Sequence, residues 1–296
     1  MCRSAGARPV ARERTSMELK AVIGWRRSIR FFDAWREVER EKIQAILEAV
    51  YRAPRMLEAD FLRVVVMYRD RLTAEELRSL QTPTTTAQLD MAPVVILFYA
   101  DAEAFAPEKL ERNYRELMAA GVLNRSHGWT PERYAAEVAP YFDAMRDDPD
   151  RVPVSFRPSG EKANVLVSRE VARVARSAIG VAQTFALLAA FDEGLGAQLS
   201  AVNVQAAKSL LRIPDTWIPS SPMLLGYHGE SWEAGGQRPR EPFEEDFFEL
   251  RYGHPFYREE AVVERLRDAG MIQPTAPLPW RMDEVRALAR KFGLPE

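Results

Sequence analysis

Apolar positions at helical spacing alternate along this chain with short β-branched runs. Leu19, Val22 and Ile23 give a brief helical face. Ile43, Ile46, Leu47 and Val50 fall at i, i+3, i+4 and i+7, which predicts an amphipathic helix that Pro54 ends. The run Phe61–Tyr68 is rich in β-branched residues and predicts a strand. Thr73-Ala74-Glu75-Glu76 has the form of a capping box opening a helix through Leu80, and Pro83–Thr86 reads as a loop. Val94–Tyr99 is continuously apolar and short, the pattern of a buried central strand.

Residues 103–160 read as an insert, too short and too charged to carry a core of their own. Two polar-amphipathic helices are expected there, about Pro107–Ala120 and Pro131–Met145, followed by a proline-rich stretch from Pro149 to Pro158. Thr130-Pro131 supplies an N-cap and a first-turn proline. Trp129, Tyr141, Phe142 and Phe156 either line a substrate pocket or pack the insert onto the body. Ser168 is placed to cap a long helix reaching about Asp192, whose half from Ala178 to Ala190 is apolar on nearly every face. Such a helix must be buried all round, in the middle of a domain or in a subunit interface. Gly194 and Gly196 read as its stop. A short helix near Gln205–Leu211, a strand over Pro222–Tyr227 and amphipathic pieces around Phe243–Leu250, Arg258–Asp268 and Met282–Phe292 complete the pattern. Few strands among much helix predict an α+β fold, a small central sheet surrounded by helices.

Composition narrows the chemistry. A length of 296 residues, 47% hydrophobic, suffices for a full core in one large domain or two small ones. Lys and Arg total 41 against 43 Asp and Glu, a net charge of −2, so no global field favours nucleic acid or an anionic membrane as a partner. The single Cys2 excludes an internal disulfide and a cysteine-based metal site. His127, His228 and His254 are widely spaced, so no metal site is expected and each is read as a surface or satisfied histidine. No apolar run reaches membrane-spanning length. Residues 1–15 lack the apolar core of a secretory signal and read as a disordered leader, with Ser16 as a helix N-cap. The expectation is a cytoplasmic protein with one domain over 16–296, an insert at 103–160 and a C-terminal extension at 241–296.

The remaining candidate for chemistry is Arg26-Arg27-Ser28-Ile29-Arg30. Guanidinium forks match phosphate geometry, and a hydroxyl adds a donor. In a near-neutral protein such a cluster points to a local anion; a solvated basic patch is the competing reading of the motif alone.

Taken in order, R-R-S-I-R, the helix ending Ala53-Pro54, the strand Phe61–Tyr68, and the second strand after Met91-Ala92-Pro93 form a set. Gly194-Leu195-Gly196, Ile213-Pro214, Leu224-Leu225-Gly226-Tyr227 and Arg238-Pro239-Arg240 continue it. The set resembles the nitroreductase family of FMN-dependent oxidoreductases, over about residues 17–69, 89–101 and 165–240. The resemblance implies a homodimer with two FMN sites in the interface, each built from both chains. It places Arg26, Arg27, Ser28 and Arg30 at the FMN phosphate and ribityl chain, with Arg238 and Arg240 assisting. Leu199, Ser200 and Ala201 would lie along the flavin ring, and the partner chain would supply Pro54, Arg55 and Met56.

Two stretches depart from the family pattern. Members usually carry small hydroxyl residues and then Asn and Gln after the proline, where this chain has Arg55-Met56-Leu57-Glu58-Ala59-Asp60. By position Glu58 replaces the Asn and Asp60 the Gln, and a carboxylate cannot donate to flavin oxygens as an amide can. Glu58 is instead a candidate partner for Arg55 or a cluster arginine. The Asn and Lys common before the second strand are absent, and Thr82–Thr86 occupies that region. What the resemblance implies for activity is ping-pong transfer of hydride or electrons from NADH or NADPH to a small planar acceptor such as a nitroaromatic or quinone, with no catalytic acid assigned. The alternatives are a specialised FMN enzyme (reductive dehalogenase, natural-product dehydrogenase or flavin-fragmenting enzyme) and a non-catalytic flavin-binding protein.

Overall fold

The computed structural model describes residues 18–55, 59–140, 143, 169–276 and 281–295. In chain order the elements open with α1 (Leu19–Trp25), α2 (Arg40–Tyr51), β1 (Leu62–Tyr68), α3 (Ala74–Leu80) and α4 (Thr86–Met91). Next come β2 (Val94–Asp101), α5 (Pro107–Ala119), α6 (Arg169–Asp192), β3 (Gly196–Leu199) and α7 (Val204–Leu211). The last are β4 (Trp217–Pro219), β5 (Met223–Gly226), α8 (Phe243–Asp246), α9 (Glu260–Asp268) and α10 (Met282–Phe292). They fall into two compact units, one of Met1–Trp25 with Arg240–Pro274, the other of Arg26–Pro239 with Thr275–Glu296.

The larger unit is built on an antiparallel sheet in the order β1-β2-β5-β3, with β4 pairing the far end of β2. Strand β2 sits inside, its register set by Val64 opposite Phe98 and Ile96 opposite Met223. Its alternate side chains enter two different cores, which is why its sequence is apolar without a break. Val94, Ile96 and Phe98 face α2 and α6 through Ile43, Ile46, Ala178 and Ile179. Val95, Leu97 and Tyr99 face the opposite layer, with Phe31, Phe32, Leu80, Leu89 and Ala207. This is the α+β arrangement expected, a small sheet between helical layers. The capping box forms as read: Thr73 Oγ1 accepts from Glu76 N at 3.2 Å, and Thr73 N donates to Glu76 Oε2 at 2.7 Å.

Several expectations change. Of the two readings of the long helix α6, the middle of a domain is excluded: Ala178, Ile179, Ala182 and Ala186 face the core, whereas Val181 and Phe185 are 36% and 37% exposed on the single chain. Gly194 does end it, but Gly196 begins β3 rather than extending the stop. The loop read over Pro83–Thr86 passes directly into α4, and β4 was not anticipated. The helix expected from Pro131 starts under its Thr130 cap, then widens to π-helical turns over Tyr134–Val138. Trp129 packs against Tyr114 of α5 at 5.5 Å between ring centres, a contact within the insert itself. Tyr141, Phe142, Phe156 and the Ser16 and Ser168 caps lie outside the described residues.

In the smaller unit, the piece expected over Phe243–Leu250 is helical only to Asp246. Beyond it Phe256 N donates to Phe247 O and Glu249 N to His254 O, both at 2.9 Å, closing a loop whose tip, Leu250, has a positive φ of 62°. Gly24 in α1 meets the turn at Gly270 so closely that a Cβ there would lie 2.0 Å from the Gly270 carbonyl oxygen.

Candidate functional site

The arginine-rich segment is held against the sheet by its own backbone. Ser28 forms a parallel bridge to Ala197 of β3, and Ile29 N donates to Ala197 O at 3.1 Å. Phe32 bridges His228, and Asp33 N donates to Tyr227 O at 2.9 Å. Ile29 and Phe32 are fully buried anchors, which leaves Arg26, Arg27, Ser28 and Arg30 half-buried at the surface. The approach is close at Gly196, where a Cβ would stand 2.9 Å from Ile29 Cβ.

A buried ion pair fixes the same segment from behind. Glu230 Oε1 accepts from the backbone N–H groups of Arg30 at 2.6 Å and Phe31 at 3.2 Å. Its other oxygen pairs with Arg281, and the two side chains are 0% and 3% exposed. Arg281 also meets Glu284 at 3.2 Å, and Phe292 of α10 stacks on Phe31 with ring centres 5.5 Å apart. Helix α10 thus braces the stretch that carries the arginines.

In front of Arg30 lies a cavity of about 390 Å³. Gln198, Leu199, Ser200 and Ala201, at the end of β3, form one side of it. Thr84, Thr85, Gln88 and Ser221 form the rest. The turn after β3 is pinned by Ser200 N donating to Pro222 O at 2.9 Å. Thr85 is buried and its hydroxyl accepts from Thr82 N at 3.1 Å, ordering the entry to α4, which presents Gln88. The Arg30 guanidinium donates to Ser28 O at 3.1 Å. Burial lowers the Arg30 pKa from its ordinary value, with Arg281 adding to the effect and Glu230 opposing it. Arg27 is lowered too, by burial first and then by Arg26, against Glu233. Cations held at such a disadvantage gain from an anion brought beside them. The wall as a whole offers a guanidinium, amides and hydroxyls, and no carboxylate or imidazole among its described residues. That donor set suits an anionic organic ligand rich in acceptor oxygens.

The structure therefore brings together Arg30 with Leu199, Ser200 and Ala201 from the set expected by sequence. Pro54 is exposed beyond α2, and Arg55 makes an ion pair with Asp60. Neither lines the cavity, and Met56 and Glu58 lie outside the described residues. Arg238 is exposed in the larger unit, next to Gln237, which bridges Thr275. Arg240 belongs to the smaller unit. Thr84, Thr85, Gln88, Gln198 and Ser221 were not singled out by sequence. The usable signal was Gln198, a polar residue immediately before the Leu199-Ser200-Ala201 stretch.

His228 is neither a surface nor a satisfied histidine: its buried Nε2 has no hydrogen-bond partner among the described residues. The ring lies against Trp232 at 4.1 Å, and burial pushes its pKa down to about 4. Among the described residues no His, Cys, Asp and Glu group could hold a metal ion, and no helix is long and apolar enough to cross a membrane.

The model of the nitroreductase family matches residues 23–123. No curated protein sequence gives a significant match. Among solved structures, a putative nitroreductase from Exiguobacterium sibiricum 255-15 in complex with FMN is 18% identical, with 77% of this chain and 95% of that one covered at a TM-score of 0.53. A putative NAD(P)H:FMN oxidoreductase from Staphylococcus epidermidis ATCC 12228 is 15% identical, covering 79% and 96% at 0.54. A nitroreductase family protein from Streptococcus pneumoniae TIGR4 is 17% identical, covering 78% and 98% at 0.53. At these identities the likeness is one of fold. The resemblance read from the ordered motifs holds: the family match begins just before the arginine cluster and runs through β1 and β2, and the fold is nitroreductase-like.

Proposed function

We propose that this chain, nitroreductase-like in family match and fold, is an FMN-dependent oxidoreductase that carries reducing equivalents from NADH or NADPH to a planar organic acceptor. One observation carries the reading: Arg30 of R-R-S-I-R and the Gln198–Ala201 turn, far apart in sequence, share one cavity. The FMN complex of the E. sibiricum protein and the activity named for the S. epidermidis protein support the cofactor and the reductant.

FMN, when bound, supplies the hydride and electron chemistry. Arg26, Arg27, Ser28 and Arg30 would hold its phosphate and ribityl chain, matching a dianion with charge-assisted bonds. The backbone at Leu199, Ser200 and Ala201 would lie along the ring. Gln88, Gln198 and Thr84 offer neutral donors in place of the Asn and Lys that this chain lacks. Among the described residues the cavity wall holds no carboxylate or imidazole, and the roles these residues take are to bind, orient and exclude water.

The reading includes a homodimer in which the partner adds the Pro54–Met56 loop to the site. The exposed Val181 and Phe185 on α6 are the apolar surface a second copy would cover. A spectrum of purified protein tests the whole reading. Flavin absorbance that bleaches on addition of NADH or NADPH and returns with a quinone is the expected result. Retained flavin that neither nicotinamide reduces would leave only flavin binding, and failure to take up FMN would remove the proposal.

A further inference from the structure

A second cavity, of about 620 Å³, lies in the larger unit and shares no lining residue with the first. One wall is the turn leading into α2, and the other is the end of β1 with the tight turn that follows it. Val38, Tyr68, Pro93 and Val94 make an apolar floor. Arg36, Arg40 and Arg69 are among its lining residues, and among the described residues none of the three forms an ion pair within 4.0 Å.

Two of these cations are oriented by neutral groups, and an acid near Arg36, Glu39, acts on it electrostatically without pairing directly. Arg69 donates to the carbonyl oxygens of Ala34, at 2.6 Å, and Asp90. The Arg36 guanidinium carbon lies over the Tyr227 ring, 3.3 Å from its centre, and Tyr227 is itself fixed by its hydroxyl donating to Glu39 at 2.7 Å. The acids on the cavity are Glu37 and Asp70, the second of which sits 3.8 Å from Arg71. With Glu39 counted beside Glu37 and Asp70, four arginines against three carboxylates leave one positive charge. At the rim stands Trp35, 92% exposed, on a turn tied by Arg36 N donating to Asp33 O at 3.2 Å. A tryptophan presented to solvent on an ordered turn beside preorganised guanidinium groups is a stacking surface next to an anion seat.

We propose that this cavity binds a phosphate monoester carrying an aromatic ring, the chemistry of a mononucleotide. The ring lies against Trp35 and the apolar floor, and the phosphate is gripped by Arg36, Arg40 and Arg69. The assignment rests on residues of this cavity alone and stands apart from the flavin reading.

Calorimetric titration of the full chain with AMP and with phenyl phosphate tests it, with inorganic phosphate and adenosine as the two half-ligands. The expected result is saturable binding of both esters, weakening as salt is raised, and at least tenfold weaker in Arg36→Gln/Arg40→Gln. Trp35→Ala should bring AMP down to the affinity of inorganic phosphate. Neither side chain replaced in the double variant holds the backbone by a hydrogen bond, so the fold is expected to persist, and circular dichroism checks this. Absence of binding by both esters at millimolar concentration would overturn the proposal. So would binding lost in Arg30→Ala but kept in the double variant, because the ligand would then occupy the first cavity. Equal affinity for AMP and inorganic phosphate in the unaltered protein would overturn the role of the ring.

Discussion

Replacing Glu230 by alanine should both destabilise the larger unit and loosen its grip on an anion. The carboxylate is fully buried, accepts two backbone N–H bonds from Arg30 and Phe31, and pairs with a nearly buried Arg281. Removing one partner of a buried pair costs roughly 3–5 kcal/mol, because the other charge is left in a poor medium. Arg281 retains Glu284 at 3.2 Å, a residue about one quarter exposed, which places the expected loss near the lower bound, about 3 kcal/mol. Against a total stability on the order of 5–15 kcal/mol, that variant still folds. With a urea slope of about 3 kcal/mol per molar, the unfolding midpoint should fall by about 1 M. Glu230→Gln keeps an acceptor for Arg30 N and Phe31 N while removing the charge. It should therefore preserve FMN affinity better than Glu230→Ala, whose loss should approach the roughly 1.5–3 kcal/mol of a charge-assisted bond. Urea unfolding followed by tryptophan fluorescence gives the first quantity, and quenching of flavin emission gives the second. An alanine variant within about 0.5 kcal/mol of the parent, or one that binds FMN as tightly as the glutamine variant, would refute the bracing role.

Other expectations can be checked alongside. Arg26→Ala with Arg30→Ala should weaken FMN retention by roughly 1.5–3 kcal/mol per lost bond, read by ultrafiltration, and unchanged affinity would remove their phosphate role. Val181→Glu with Phe185→Glu should turn a dimer into a monomer in light scattering and release FMN with it; a parent protein already monomeric would contradict the shared site. The buried His228 has its folded pKa depressed to about 4, below its unfolded value, so the unfolded chain binds more protons between about pH 4 and 6.5. Stability should accordingly fall as pH drops through that window, and His228→Leu should flatten the curve measured by thermal unfolding. Gly196→Ala should cost about 1–3 kcal/mol by pushing Ile29 and the arginine segment off β3, seen as a lower unfolding midpoint.

What could be read from sequence was whatever had a local cause. The Ile43, Ile46 and Val50 face of α2, the Thr73 capping box and the unbroken run in β2 each follow from periodicity or hydrogen-bonding chemistry within a few residues. Elements that exist only because of a distant partner were missed. Strand β3 is four residues long and starts with a glycine that reads as a breaker; it is a strand because β5 pairs with it and Ile29 needs the space above Gly196. Strand β4 has three residues, one of them Pro219, and survives at the edge of β2. Helix α4 is too short for a period to show.

The same division applies to the candidate site. R-R-S-I-R was conspicuous because charge at that density is rare, and of its residues Arg30 lines the cavity. Glu230 was invisible: a single acid in no motif, whose partners Arg30 and Arg281 lie 200 and 51 residues away. Thr84, Thr85, Gln88 and Ser221 were hidden for a related reason, since neutral polar residues in loops carry no sign of what they face. Helix α6 is a further case: its composition fitted either the middle of a domain or a subunit interface, and only the structure shows Val181 and Phe185 partly exposed on the single chain.

The reach of the Glu230 contacts also sets a timetable. A ribosome working at about 5–20 residues per second releases the arginine segment early, then makes some 200 more residues before the acid that secures it exists. Arg281 and Phe292 follow later still. Until then the segment is a positively charged stretch without its scaffold, open to any passing polyanion. On the proposed flavin reading, tight loading of FMN waits for the end of synthesis, and a nascent chain arrested short of residue 281 should hold it more weakly than the finished one.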